Sequence, residues 1–231
     1  AFSNVPGAEA MTLWFTRSTD GGTTFSSPVQ ISTFSPATGV NASHGPQITA
    51  LSGNHVLVSW HTIGNPPSTP WKIWISESTD GGVTFGTNNL VATAQFGVPN
   101  RFISMKSNPS NGRLYIAYAD SIVEPRDYDI FVTSSSSAAG PWTSPVKVND
   151  DPASSGSWQY WPSLSVAPNG RMDMIWYDKR DGASLLNVYY SVSLDAGYTW
   201  AANVKVTDAP SASSAYFAGD YIAIASVDEK A

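Results

Sequence analysis

The chain of 231 residues is 42 % hydrophobic but only 13 % charged, with nine Trp, ten Tyr and nine Phe beside 18 Gly and 16 Pro. That is ample apolar material for a core, in a balance suited to short strands and turns and poor for long helices, which draw on Ala, Leu, Glu and Lys. The net charge of −6 excludes the cationic surface that nucleic acid requires, and the lack of Cys excludes thiolate catalysis, zinc–thiolate sites and disulfides. No run of about 18 apolar residues offers a membrane span.

In chain order, the first predicted element is MTLWFTRS at 11–18, an alternating strand that runs into the loop STDGGTTF at 18–25 and a short closing strand. A second unit follows: PQITALS (46–52), a turn at Gly53, HVLVSW (55–60), WKIWISES (71–78) and the loop STDGGVTF (78–85). The third repeats the plan with RFISMKS (101–107), Gly112, RLYIAY (113–118) and DIFVTSS (129–135). Its loop is decayed, with Ser137 where the others have aspartate, while Trp142 keeps the aromatic place. The fourth has PSLSVAP (162–168), Gly170, RMDMIW (171–176), NVYYSVS (187–193) and the loop SLDAGYTW (193–200). The last alternating segment is DYIAIASV at 220–227.

The loop positions Asp20, Asp80, Ser137 and Asp195 are separated by 60, 57 and 58 residues. Period-2 alternation between glycine turns gives four antiparallel strands per repeat, with the acidic loop joining the third strand to the fourth. Four-stranded units at such a period are the signature of propeller blades. The expectation is an all-β propeller in a single domain, 1–231, with blades at about 46–91, 101–148 and 161–206 and partial blades at 11–31 and 219–227. About four blades' worth is present. Either the two ends close a ring, or the chain is part of a six- or seven-bladed propeller; the second is the expectation adopted.

The loops resemble the Asp-box, or BNR, repeat of sialidase-like β-propellers, a family that includes glycosidases and non-catalytic propellers. The matching residues are Ser18, Asp20, Gly22, Thr24 and Phe25; Ser78, Asp80, Gly82, Thr84 and Phe85; and Ser193, Asp195, Gly197, Thr199 and Trp200. The resemblance implies that these boxes are structural and lie opposite the binding face. Side-chain oxygens of Asp and Ser or Thr suit the turn's own amides, and the glycines suit a positive φ. A nucleotide loop is excluded, because no Lys follows the glycines and no helix opens there.

Propeller geometry places the second-to-third-strand loops and the connections between blades together on the other face, where long loops on a rigid scaffold carry function. The candidate ligand-binding residues there are His44, Arg101, Asp120, Arg126, Tyr160, Asp178, Arg180 and Asp220, with Trp71, Trp158, Tyr160 and Tyr216 as surfaces for a sugar ring. Guanidinium groups suit an anionic sugar. Sialidases of the resembled family use three arginines, an Asp acid/base and a Tyr–Glu pair, but the F/Y-R-I-P motif is missing here and no such pair is assignable. Asp178 with Arg180, and Asp120 with Arg126, also read as structural ion pairs. Asp150 and Asp151 suit calcium only as part of an incomplete ligand ladder, so no cofactor is expected. The implied function is a secreted or cell-surface propeller, bacterial and extracytoplasmic, that binds or hydrolyses glycans. The alternative is a non-catalytic adhesion module with protein partners.

Overall fold

The computed structural model describes residues 12–32, 40–64, 70–94, 102–121, 127–152, 155–212 and 222–227. Among them there is no helix, and so none long and apolar enough to cross a membrane. The chain separates into two compact units: residues 1–93 with 138–140, and residues 94–137 with 141–231.

The first unit holds a two-stranded ladder of β1 (Trp14–Phe15) and β2 (Val29–Gln30) and one four-stranded antiparallel sheet. That sheet runs in order from β3 (Val40–Ala50) through β4 (Val56–Gly64) and β5 (Trp71–Ser78) to β6 (Asn89–Ala94). Its core joins Leu13, Ile31, Val58 and Trp60 with Phe15, Trp74 and Phe85. The strand expected over 11–18 shortens to two ladder residues because Thr16 and Arg17 bond across the turn to Ser26 instead.

The second unit holds two more such sheets. In the first, β7 (Ser104–Ser107), β8 (Leu114–Asp120), β9 (Asp129–Ser135) and β10 (Val146–Lys147) pair in order. In the second, β11 (Gln159–Val166), β12 (Met172–Asp178), β13 (Leu185–Ser193) and β14 (Val204–Lys205) do the same. An unexpected β15 (Ser211–Ala212) pairs with the start of β13. β8 and β9 are buried along their whole length, the condition of middle strands covered on both faces. Meandering four-stranded sheets of this kind are propeller blades.

Adjacent inner strands of this unit are joined by serines. The Leu164 amide on β11 donates to Ser104 Oγ on β7 at 3.0 Å. One repeat on, the Ile224 and Ser226 amides donate to Ser163 and Ser165 Oγ at 3.2 and 3.0 Å. Segment 222–227 thus lies beside β11 in the way β11 lies beside β7.

The repeated loops spend their polar groups on themselves. In the second copy, Asp80 Oδ1 accepts the Thr84 amide at 2.9 Å, Oδ2 accepts the Thr84 hydroxyl at 2.7 Å, and Ser78 Oγ accepts the Gly82 amide at 2.7 Å. Asp20 and Asp195 make the same bonds to Thr24 and Thr199. The side-chain bond from Thr24 lowers the Asp20 pKa most, and the Thr84 amide does so for Asp80; both stay below the ordinary carboxylate range. The loop aromatics differ in role: Phe85 and Trp200 pack on cores, whereas Phe25 is 65 % exposed.

Candidate functional site

The ends of β11 and β12 opposite the glycine turns carry the best-defined polar network, built around Asp178. Strand register sets Gln159 across from Asp178 and Tyr160 across from Tyr177. Asp178 is fully buried. It accepts from the Trp176 indole at 2.8 Å, the Arg180 amide at 2.8 Å, Arg180 Nε at 2.9 Å and Gln159 Nε2 at 3.2 Å. A carboxylate can be buried at such a position because every lone pair has a donor.

Arg180 is correspondingly committed. Besides Asp178, it donates to Asp150 at 2.6 Å and Asn203 at 2.9 Å, and its guanidinium lies 4.3 Å from the Tyr189 ring centre. Burial works against its charge, but the Asp178 bond and charge outweigh it and the pKa rises. These partners occupy Nε, Nη1 and Nη2 of the guanidinium expected to meet a ligand. Asp150 and Asp151 are drawn into the same network: Asp150 also accepts the Asn203 amide at 2.9 Å. Asp151 accepts the Ser155 and Ser157 hydroxyls at 3.0 and 2.8 Å and a close donor from Asn149. Among the described residues no cluster of three acids or histidines has metal-binding geometry.

Through Asn149 the network reaches the neighbouring sheet. Asn149 bonds Asp129 at 2.6 Å, and Lys147 pairs with Asp129 at 2.7 Å. Burial raises the Asp129 pKa despite those partners. Asp129 stands in register with Asp120, itself buried and capping the Ser121 amide at 2.8 Å. Tyr128 and Trp158 join the two sheets by a parallel bridge, with their rings 5.4 Å apart, and Lys179 lies 5.3 Å over the Trp158 ring. Gln159, Asp129 and Asn203 carry no signal in the sequence, because only strand register and contacts between distant segments bring them into the network.

Tyr160 belongs to a position that recurs in each repeat. Gln47, Ser104 and Ser163 are equivalent, since each pairs with the residue just before the core aromatics Trp60, Tyr118 and Trp176. Counting three residues back gives His44, Arg101 and Tyr160. The matching bonds of Leu164 and Ile224 make those two equivalent, and four residues before them stand Tyr160 and Asp220. By sequence count that place is taken by His44, Arg101, Tyr160 and Asp220, of which the structure describes His44 and Tyr160. In the first unit, His44 pairs with His61, rings stacked at 6.0 Å, and His61 meets Trp71 edge-on at 5.2 Å. Arg101, Arg126 and Asp220 lie outside the described residues, as does Tyr216.

No protein-family profile and no curated protein matches the chain. Solved structures do. A Fusarium graminearum GH93 α-L-arabinofuranosidase, in complex with arabinobiose, is 19 % identical with a TM-score of 0.65, over 91 % of this chain and 63 % of its own. A Penicillium chrysogenum α-L-arabinanase complexed with arabinobiose is 16 % identical with a TM-score of 0.63, over 88 % and 60 %. The intramolecular trans-sialidase of Ruminococcus gnavus, complexed with oseltamivir carboxylate, is 12 % identical with a TM-score of 0.58, over 87 % and 65 %. The chain spans less than two thirds of the length of each of these three structures. At these identities the likeness is one of fold: this chain has the blade architecture of propeller glycoside hydrolases.

Proposed function

We propose that the protein is a secreted, Asp-box, sialidase-like propeller that binds glycans at its loop-bearing face, with hydrolysis as the further step in the whole protein. The observation that carries this reading is the repeat position of His44, Arg101, Tyr160 and Asp220. Its neighbours keep their role from blade to blade, as Trp60, Tyr118 and Trp176 do, while this position carries four different chemistries. A repeat that holds its packing residues and diversifies one place is using that place for something other than packing. Polar, hydrogen-bonding and aromatic groups of these kinds suit a sugar, whose hydroxyls need both donors and acceptors. Likeness to arabinobiose-bound and sialidase propellers supports the same class of ligand.

Hydrolysis would require two carboxyl groups, or a tyrosine with an acid, flanking the glycosidic bond. Asp120 and Asp178 are buried and accept internal hydrogen bonds, which favours a structural role for both over acid–base catalysis or ligand contact. The test is a glycan array with arabinosyl and sialyl members, run with fluorogenic glycosides on the wild type, His44→Ala and Tyr160→Ala. Binding reduced in both variants is expected. A wild type with neither binding nor turnover sinks the reading and leaves the adhesion alternative.

A further inference from the structure

Trp161 has φ = 55°, in the left-handed region where a bulky side chain is a genuine outlier. It lies in a bulge, because the β11–β12 register shifts between Tyr160 and Ser163. The first unit has the same shift between His44 and Gln47, and there the residue is Gly45 at φ = 60°, which adopts that conformation freely. One backbone device is therefore built once with glycine and once with tryptophan. The Trp161 ring compensates by packing edge-on against Phe102 at 5.1 Å and Tyr160 at 6.0 Å, and tilted against Tyr177 at 5.6 Å. Strain held by surrounding packing is characteristic of functional sites.

The residue this bulge presents is Tyr160. Its ring is almost wholly buried among Trp161 and Tyr177, at 7 % exposure. Its hydroxyl makes no hydrogen bond to any described residue, and the oxygen is not sealed from solvent. A core tyrosine serving only to pack would either bond its hydroxyl or be a phenylalanine.

We propose that Trp161 is a positioning residue whose ring, packed beside Tyr160 at the left-handed bulge, holds the Tyr160 hydroxyl in place as a neutral hydrogen-bond donor to an oxygen of a bound sugar. This rests on the glycan reading above. The donor role agrees with burial, and then Tyr177, pushing the Tyr160 pKa up to about 12, so the phenol keeps its proton and is unsuited to act as a phenolate nucleophile.

The experiment has two arms. In the first, arabinobiose and 3′-sialyllactose are titrated into the wild type, Tyr160→Phe, Trp161→Gly and Phe102→Leu. Tyr160→Phe should weaken binding about tenfold, the scale of one lost hydrogen bond. Trp161→Gly, which keeps the bulge but removes the ring, should match it although Tyr160 is intact, and Phe102→Leu, which only loosens the buttress, should show a smaller loss and serves if Trp161→Gly does not fold. Full affinity in Trp161→Gly and Phe102→Leu overturns the positioning role, and full affinity in Tyr160→Phe overturns the donor role. In the second arm, ultraviolet titration of tyrosines, with Tyr160 assigned from the Tyr160→Phe difference, should show its pKa falling toward 10.0 when the Trp161 ring is removed or loosened. An unchanged value also overturns the positioning. A wild type that binds neither sugar overturns the glycan reading and the donor role together, while the titration still decides the positioning.

Discussion

Arg180 grips Asp178 through Nε at 2.9 Å and Nη2 at 2.8 Å, and Asp178 is completely shielded from solvent. Arg180→Met keeps most of the stem but leaves that carboxylate buried with only the Trp176, Gln159 and backbone donors. The variant should lose about 3 kcal/mol of stability, the cost of breaking a buried pair from one side. Asp150→Asn, at the half-exposed end of the same guanidinium, should cost under about 1 kcal/mol. Urea denaturation of both variants checks the contrast, and equal losses would mean that the two carboxylates share the load.

Gly22 and Gly82 have nearly equal φ, 89° and 86°, but different surroundings. A Cβ at Gly22 meets nothing within 4 Å, whereas one at Gly82 overlaps the Phe15 ring. Gly22→Ala should therefore cost only the left-handed penalty of about 1–2 kcal/mol. Gly82→Ala should add a steric cost and lose about 2–4 kcal/mol. Thermal unfolding of the pair is the measurement.

Acid should act on the loops in a defined window. The Asp20 and Asp80 carboxyls have folded pKa values below the ordinary 3.8, so each contributes stability that is fully present above that value. The contribution is lost as pH falls below 3.8 toward the folded pKa, where the unfolded chain binds the proton first. Asp80→Asn should lower stability by a constant amount above pH 5, where that contribution is fully present, and flatten the profile between pH 4 and about 2. An unaltered acid limb would mean that other carboxyls govern it.

The decayed loop should exchange its amides fastest. Ser137 has its amide on Ser135 Oγ at 3.1 Å but supplies no carboxylate to order the turn. Hydrogen exchange at Ala139 and Gly140 should exceed that at Gly82 and Thr84, which are held by Ser78 and Asp80. Equal protection would show that Pro141 and Trp142 secure the turn by themselves.

The blade architecture was readable because it is written in short range and then repeated. Alternation at HVLVSW and RMDMIW, with glycine turns before them, leaves little choice but antiparallel strands that pair with their neighbours. His44, Tyr160 and Asp220 could be read from the sequence as the starts of inner strands, whereas the matching bulges at Gly45 and Trp161 needed strand register. The fate of Arg180 was legible only in part. Its partner Asp178 is two residues away and could be anticipated, while Asp150 and Asn203 are 30 and 23 residues distant and meet it only after the sheet has formed. β15 escaped notice because a two-residue pairing has no period to read.

The serines joining inner strands have a mechanical consequence. Between β7 and β11, and between β11 and segment 222–227, single side-chain bonds replace a continuous ladder, whereas each blade is internally laced by paired strands. Residues 224 and 226 are tied to β11 by two isolated rivets, beside a β-bridge at Val227. Such a joint shears bond by bond at modest force, while the blade behind it must rupture its strand pairs collectively. Under load, the joint between segment 222–227 and β11 should therefore part before the paired strands of the β11–β14 sheet do.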